Sequence, residues 1–399
     1  MSSKSTLLYA ALTLALGAVP AMGQGLLAMQ QSAHFDRDEP LNWTIGVSGG
    51  YDSLNYNLEN PAYPNIDSYF IQGGIGATYS DNDRVTPWSL AVNGGVLNYL
   101  DEAPRARDTY YSARVAFNIA HQVSERLKFS NNFYGTYEAE PNYAMGASTT
   151  LWNGQYFYGY NNFNLSYAWS RRFSSTTSYT VDTIRYQQDF VSASEDRLSH
   201  LIAQQFAYQM NQKTALVAEY RYRAVDYMHR NDVDSHSHFV LAGINHAWSQ
   251  RTTSSARAGA EFYKSGRTSK VSPYAEFALN YQADRKTTVS WFSMLGYDGT
   301  ELQSYSDRYS FRTGINAQHA VDRRLTLNGG LSYVYSKFGG NALVDEVTEN
   351  SVMVSAGVNY LLWENFSVNA GYGYTILKSS NELREFDRNR VTVGMSATF

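Results

Sequence analysis

Eight short polar segments recur along the chain, and their spacing limits what can lie between them. They are Asp81-Asn82-Asp83-Arg84, Ser124-Glu125-Arg126, Ser170-Arg171-Arg172, Asn211-Gln212-Lys213, Ser249-Gln250-Arg251, Asp284-Arg285-Lys286, Asp322-Arg323-Arg324 and Trp363-Glu364-Asn365. Most share one recipe, a Ser, Asp or Asn that starts a tight turn followed by a basic residue. Measured at Arg84, Arg126, Arg171, Lys213, Arg251, Arg285, Arg323 and Glu364, successive turns lie 42, 45, 42, 38, 34, 38 and 41 residues apart. Repeats of about 40 residues also fit propeller blades, but a blade holds four short strands. Here each repeat holds two long ones, so the repeating unit is a β-hairpin.

Alternation fixes the faces of those strands. From Arg390 to Phe399, Val391, Val393, Met395, Ala397 and Phe399 point one way, and Arg390, Thr392, Gly394, Ser396 and Thr398 the other. Leu325, Leu327, Leu331, Tyr333 and Tyr335 likewise alternate with Thr326, Asn328, Gly330, Ser332 and Ser336. The pattern predicts eighteen strands, at 42–52, 68–80, 87–100, 108–122, 127–139, 153–169, 174–188, 197–209, 214–228, 237–249, 253–265, 271–282, 288–299, 307–320, 325–337, 351–362, 366–378 and 388–399, with sixteen as the second choice. About eight strands already fill their own interior, whereas eighteen enclose a wide lumen. A lumen lined by Ser, Thr, Asn and Gly is best filled by water, which leaves the apolar face for lipid. The expected fold is therefore all-β: a transmembrane antiparallel up-and-down β-barrel. Trp43, Trp88, Trp169, Trp248, Trp291 and Trp363 fall near strand ends, where interfacial girdles belong.

Composition agrees with this reading. The 399 residues include 33 Tyr and 29 Gly but 8 Pro and no Cys, with a formal net charge of −4. The absence of Cys excludes disulfides, thiolate metal sites and a Cys nucleophile, and the balanced charge argues against a nucleic-acid partner. Residues 1–23 read as a signal peptide, with Lys4, an apolar run from Leu7 to Val19 and a small-x-small site at Ala21-Met22-Gly23. Residues 24–41 read as a short periplasmic arm, and 42–399 as the barrel. An even strand number puts both termini on the side of the short turns, so 53–67, 140–152 and 338–350 become outer loops.

The signal segment, the repeated Trp169-Ser170-Arg171-Arg172 and Trp248-Ser249-Gln250-Arg251 turns and the closing Val391–Phe399 strand resemble the porin-like outer-membrane β-barrels, in particular the group called putative beta-barrel porins. The resemblance spans the mature chain. It implies a bacterial outer-membrane location, contact with outer-membrane lipid and pore activity toward small hydrophilic solutes. It also implies that Phe399 is the terminal aromatic recognised by the barrel-assembly machinery. It carries over no binding residue and no cofactor.

By alternation, Arg114, Arg221, Arg223, Arg257, Arg308 and Arg312 fall on the lumen face with Glu219, Glu261 and Glu276. Such charges either select ions by sign, here with a mild anion preference, or pair across strands to stiffen the wall. Tyr110, Tyr134, Tyr263 and Tyr274 share that face and could stack on sugars or simply fill space. His229, His236 and His238, with Asp232 and Asp234, crowd one outer loop and read as a solvated loop in preference to a metal site. No nucleophile elbow, phosphate loop or carboxylate pair suggests an enzyme. A passive diffusion channel is the leading expectation. A structural or surface-interaction barrel with a blocked lumen and a polysaccharide export channel are the alternatives.

Overall fold

The structure, a computed structural model, describes residues 40–57, 65–101, 108–138, 155–187, 192–193, 196–230, 233–266, 268–284, 286–298, 305, 307–340 and 345–399. Residues 1–39, which hold the expected signal peptide and nearly all of the expected N-terminal arm, lie outside the described residues. The strands are β1 (Leu41–Tyr56), β2 (Ile66–Asp81), β3 (Trp88–Tyr99), β4 (Thr109–Gln122), β5 (Leu127–Glu138), β6 (Tyr156–Ala168), β7 (Phe173–Tyr186), β8 (Arg197–Gln209) and β9 (Thr214–Tyr227). They continue as β10 (Ser235–Ala247), β11 (Thr252–Ser265), β12 (Thr268–Gln282), β13 (Thr287–Asp298), β14 (Arg308–Ala320), β15 (Leu325–Phe338), β16 (Val347–Trp363), β17 (Phe366–Ser379) and β18 (Phe386–Thr398). Each pairs antiparallel with its sequence neighbours, and β1 also pairs with β18, in register from Thr44 opposite Thr398 to Tyr56 opposite Phe386. The sheet is thus a closed eighteen-stranded barrel without a free edge, as a lipid-spanning sheet requires. Phe399 completes the closure: its N–H donates to the Trp43 carbonyl at 2.8 Å, and the Trp43 N–H donates back at 2.8 Å.

The turn recipe has a direct physical cause. Ser124 Oγ accepts from the N–H groups of Arg126 and Leu127, Ser170 Oγ from Arg172 and Phe173, and Asp322 Oδ1 from Arg324 and Leu325. Each first residue thereby satisfies donors that the two-stranded ladder leaves open. The basic residues then tie one turn to the next, Arg251 Nη1 donating to the Ala283 carbonyl and Lys286 Nζ to that of Val321. Backbone donors hold the carboxyls of Asp83, Asp284 and Asp322 below the usual carboxylate range. Their contribution is therefore full above the ordinary carboxylate pKa and fades as pH falls through the lowered one.

Outside the barrel, Ile45, Val47, Ile75, Val92, Ile202, Val240, Leu331, Val393 and Met395 are exposed, while their neighbours along each strand turn inward. On β18 the outward apolar run from Val391 to Phe399, tilted as barrel strands are, spans roughly 20–25 Å, the height of an outer-membrane apolar band. Trp43, Trp169, Trp248 and Trp363 cluster at its turn-side edge, all at least half exposed.

Several strands run further toward the loops than their lipid-facing pattern indicates. β1 reaches Tyr56 and not residue 52, and β16 begins at Val347 and not residue 351. The reason is an inversion of polarity. Beyond the apolar band Leu54, Tyr56, Phe338, Val347, Leu377 and Phe386 turn inward and are buried. Asn55, Lys337, Asn350 and Lys378 turn outward and are exposed. Above the bilayer the outside meets water and the inside packs, so a strand whose pattern reverses appears from sequence to end.

Gly50 shows how tightly this inner layer fits. A Cβ there would sit 2.1 Å from the Val391 carbonyl oxygen and 2.6 Å from the Phe70 ring, and Arg390 lies over that ring at 4.4 Å. Gly50→Ala should destabilise the barrel by about 1–3 kcal/mol through overpacking, read as a lower urea midpoint. An unchanged midpoint would mean that the Val391 backbone and the Phe70 ring both give way at no cost.

Candidate functional site: the lumen

Two regimes divide the lumen along its axis. Toward the turns, the inward residues Asn93, Asn118, Asn280, Gln282, Asn316 and Gln318 are exposed, so the inner wall there offers neutral amides to solvent. Toward the loops, inward Asp52, Glu261, Arg257, Arg308, Arg312, Arg388 and Arg390 are all at most 5% exposed. There, side chains build a packed second layer against the wall.

All nine charged residues singled out from sequence point into this inner layer, and most are interlocked. Arg221 donates through Nη2 to Glu276 Oε1 at 2.7 Å, through Nη1 to Glu276 Oε2 at 2.9 Å and through Nε to Glu219 Oε1 at 2.6 Å. The Tyr274 hydroxyl donates to Glu276 Oε2 at 2.8 Å. Arg257 Nε lies 3.4 Å from Glu219 Oε2, and its Nη1 donates to Asn245. Four adjacent strands, β9 to β12, thus share one arc of alternating charge. Fork-to-carboxylate geometry explains the use of Arg, because a planar guanidinium can serve two acids at once. Arg114 pairs with Glu138 at 3.2 Å, which also accepts from the Tyr156 hydroxyl. Arg308 lies over the Phe338 ring at 5.9 Å.

The four inward tyrosines sit within packed clusters. Tyr110 meets Tyr99 edge-on, Tyr263 stacks on Tyr297 at 4.7 Å, and Tyr274 meets Phe239 at 5.0 Å. Tyr134 packs against the cluster of Tyr156, Tyr158, Ile184 and Tyr186. Phe239 and Leu241 also face inward beside Tyr274, although their apolar side chains alone would have assigned them to lipid. His236 and His238 share a face, and it is the outward one; Asp232 lies outside the described residues.

Sequence reasoning passed over two groups. The first joins the ends of the chain: Arg388 donates to Asp52 through Nε at 2.8 Å and Nη2 at 2.5 Å, with the Tyr99 hydroxyl at 2.8 Å and Arg390 at 3.7 Å. Only the barrel brings residues 336 positions apart together, so no local pattern marks them. The second lies at β12 and β13, whose ladder stops at Ala275 opposite Leu295 although both strands continue. Pro273 has no N–H to offer β13. The Tyr297 backbone instead donates to Glu261 Oε2 at 2.9 Å and accepts from Arg223 Nη2 at 2.7 Å. The Pro273 carbonyl takes the Tyr309 hydroxyl at 2.8 Å. The Pro in an otherwise strand-like stretch was the one visible signal.

Residues 232–399 match the family described as "Putative beta-barrel porin 2", and 54–154 match a "Protein of unknown function, DUF481". No curated protein matches the chain. Among solved structures it is similar to OccAB4 of Acinetobacter baumannii, with 11% identity over 90% of this chain and 99% of that one and a TM-score of 0.46. It is also similar to OpdK of Pseudomonas aeruginosa with vanillate, with 12% identity over the same shares and a TM-score of 0.47. A BenF-like porin from Pseudomonas fluorescens Pf-5 gives 11% identity, again over 90% and 99%, and a TM-score of 0.47. The chain is a closed eighteen-stranded β-barrel with an apolar band outside and polar side chains inside, and its C-terminal part, residues 232–399, matches a porin family.

Proposed function

We propose that the protein is a passive diffusion channel for small hydrophilic solutes, with a mild preference for anions. The observation that carries the first half is the set of exposed Asn and Gln on the inner wall toward the turns, followed toward the loops by a packed layer of charge. An aqueous path lined by amides suits hydrated solutes, and a charged narrowing suits selection by sign. The preference rests on inward Arg114, Arg221, Arg223, Arg257, Arg308, Arg312, Arg388 and Arg390, set against Asp52, Glu138, Glu219, Glu261, Glu276 and Glu349. Phe399 is proposed as the end that the assembly machinery captures before it closes onto Trp43.

Planar-bilayer recording tests both halves. Wild type should open in discrete steps, and silence from a correctly folded protein would favour a blocked, surface-interaction barrel. Arg308→Ala with Arg312→Ala should move the reversal potential toward cations; an unmoved value would reduce these arginines to wall supports. Arg221→Ala with Glu276→Ala removes both ends of the β9–β12 arc and should raise conductance. Equal conductance would place the narrowest point elsewhere.

A further inference from the structure

The outward face of β8 to β11 carries a basic patch. The cross-strand registers align His200 on β8 with Ala224 on β9, Ala224 with His236 on β10, and His236 with Lys264 on β11. One row toward the bilayer, Ile202, Tyr222, His238 and Phe262 are aligned in the same way. This is the level at which polarity inverts: Val240 below is 57% exposed to lipid, while inward Phe239 and Leu241 are buried. The row therefore lies at the outer headgroup layer.

Elsewhere at this level, outward lysines have their own acids. Lys337 pairs with Glu346 and Lys378 with Glu385, both at 2.8 Å. Lys264 is exposed and has no ion pair or hydrogen bond among the described residues. On the outward face of β7 to β11, Asp226 is the one acid among the described residues, and Arg185 stands at a similar distance from the bilayer. The histidine rings are held in place: Nδ1 of His238 bonds the Tyr220 hydroxyl at 2.7 Å and Nδ1 of His200 the Tyr179 hydroxyl at 2.8 Å. His238 also lies 5.0 Å from the Tyr222 ring and 6.3 Å from that of His236. With Nδ1 engaged, Nε2 of each ring is the nitrogen left to serve a ligand.

From this we infer that the patch binds the phosphate of an outer-leaflet lipid headgroup, Lys264 supplying the fixed charge and His236, His238 and His200 further donors, while Tyr222 and Phe262 pack on the lipid below. Cationic side chains at a membrane surface attract anionic headgroups, and desolvation at the interface strengthens hydrogen bonds to phosphate.

Native mass spectrometry of the full-length protein, with phosphatidic acid and phosphatidylcholine as probes, tests this. Wild type should retain phosphatidic acid at least about tenfold better than phosphatidylcholine, and Lys264→Ala with His236→Ala should lose most of that difference while keeping its heat-modifiable gel migration. Lys337→Ala with Lys378→Ala should keep it. Equal retention by wild type and the patch variant overturns the inference, as does an equal loss in the Lys337/Lys378 control, which would make the effect one of general charge. Displacement of the lipid by millimolar inorganic phosphate would assign the site to a free anion and overturn the lipid reading too.

Discussion

Asp52→Ala should cost the folded barrel about 3–5 kcal/mol, since it leaves the guanidinium of Arg388 buried without its acid. Both partners are essentially inaccessible, at 0% and 1% exposed, and both Asp52 oxygens are used, by Arg388 Nε and Nη2 and by the Tyr99 hydroxyl. Removing one member of such a set costs far more than the pair contributes net, because the surviving charge keeps its desolvation penalty. Replacing both by apolar residues, Asp52→Leu with Arg388→Met, should recover much of the loss. Urea titration in detergent reads both effects, and an Asp52→Ala midpoint equal to wild type would contradict the burial. Asp52 lies on the first strand and Arg388 on the last, so the pair exists only once the barrel has closed. The variant should therefore also refold more slowly into the closed form, as followed by gel migration.

Glu261→Ala should be comparably damaging, about 3–5 kcal/mol, but for a reason local to one seam. Glu261 is fully buried and accepts from Ser237 Oγ at 2.8 Å, Arg223 Nη2 at 3.2 Å and the Tyr297 N–H at 2.9 Å. It accepts in place of the Pro273 carbonyl, which the Tyr309 hydroxyl occupies, while Arg223 Nη2 supplies to the Tyr297 carbonyl the donor that Pro273 lacks. Without Glu261 the end of β13, residues 296–298, keeps Arg223 on the Tyr297 carbonyl but loses the acceptor of the Tyr297 N–H, and amide exchange there should quicken while the centre of β13 stays protected. Glu261→Gln keeps an acceptor and should fall between wild type and Glu261→Ala. Unchanged exchange at 296–298 in Glu261→Ala would show that β13 is held by its β14 ladder alone.

The candidate lumen was only partly visible in one dimension. Alternation placed Arg114, Arg221, Arg257 and Glu276 on the inner face because that face depends on residue parity and nothing else. It could not show that Arg221 reaches Glu276 three strands away, because partnership across β9 to β12 depends on side-chain length and on the inward curvature of the closed sheet. Nor could it place Phe239, Leu241, Leu54 or Phe386 inside. Their parity was clear, but an apolar residue in a barrel strand is assigned to lipid by default; that default reverses above the bilayer for Leu54 and Phe386, and Phe239 and Leu241 pack inward against Tyr274 at the level of the band itself.

The sequence by itself determined the hairpin repeat, the turn chemistry, the antiparallel order and the lipid-facing band, since each follows from local residue types at fixed spacing, and it favoured eighteen strands over sixteen. Tertiary structure alone decided where the band ends, how the inner layer interlocks, and that Asp52 meets Arg388. Those outcomes depend on closure, which joins residues distant in the chain and separates a face wetted by water from one covered by hydrocarbon.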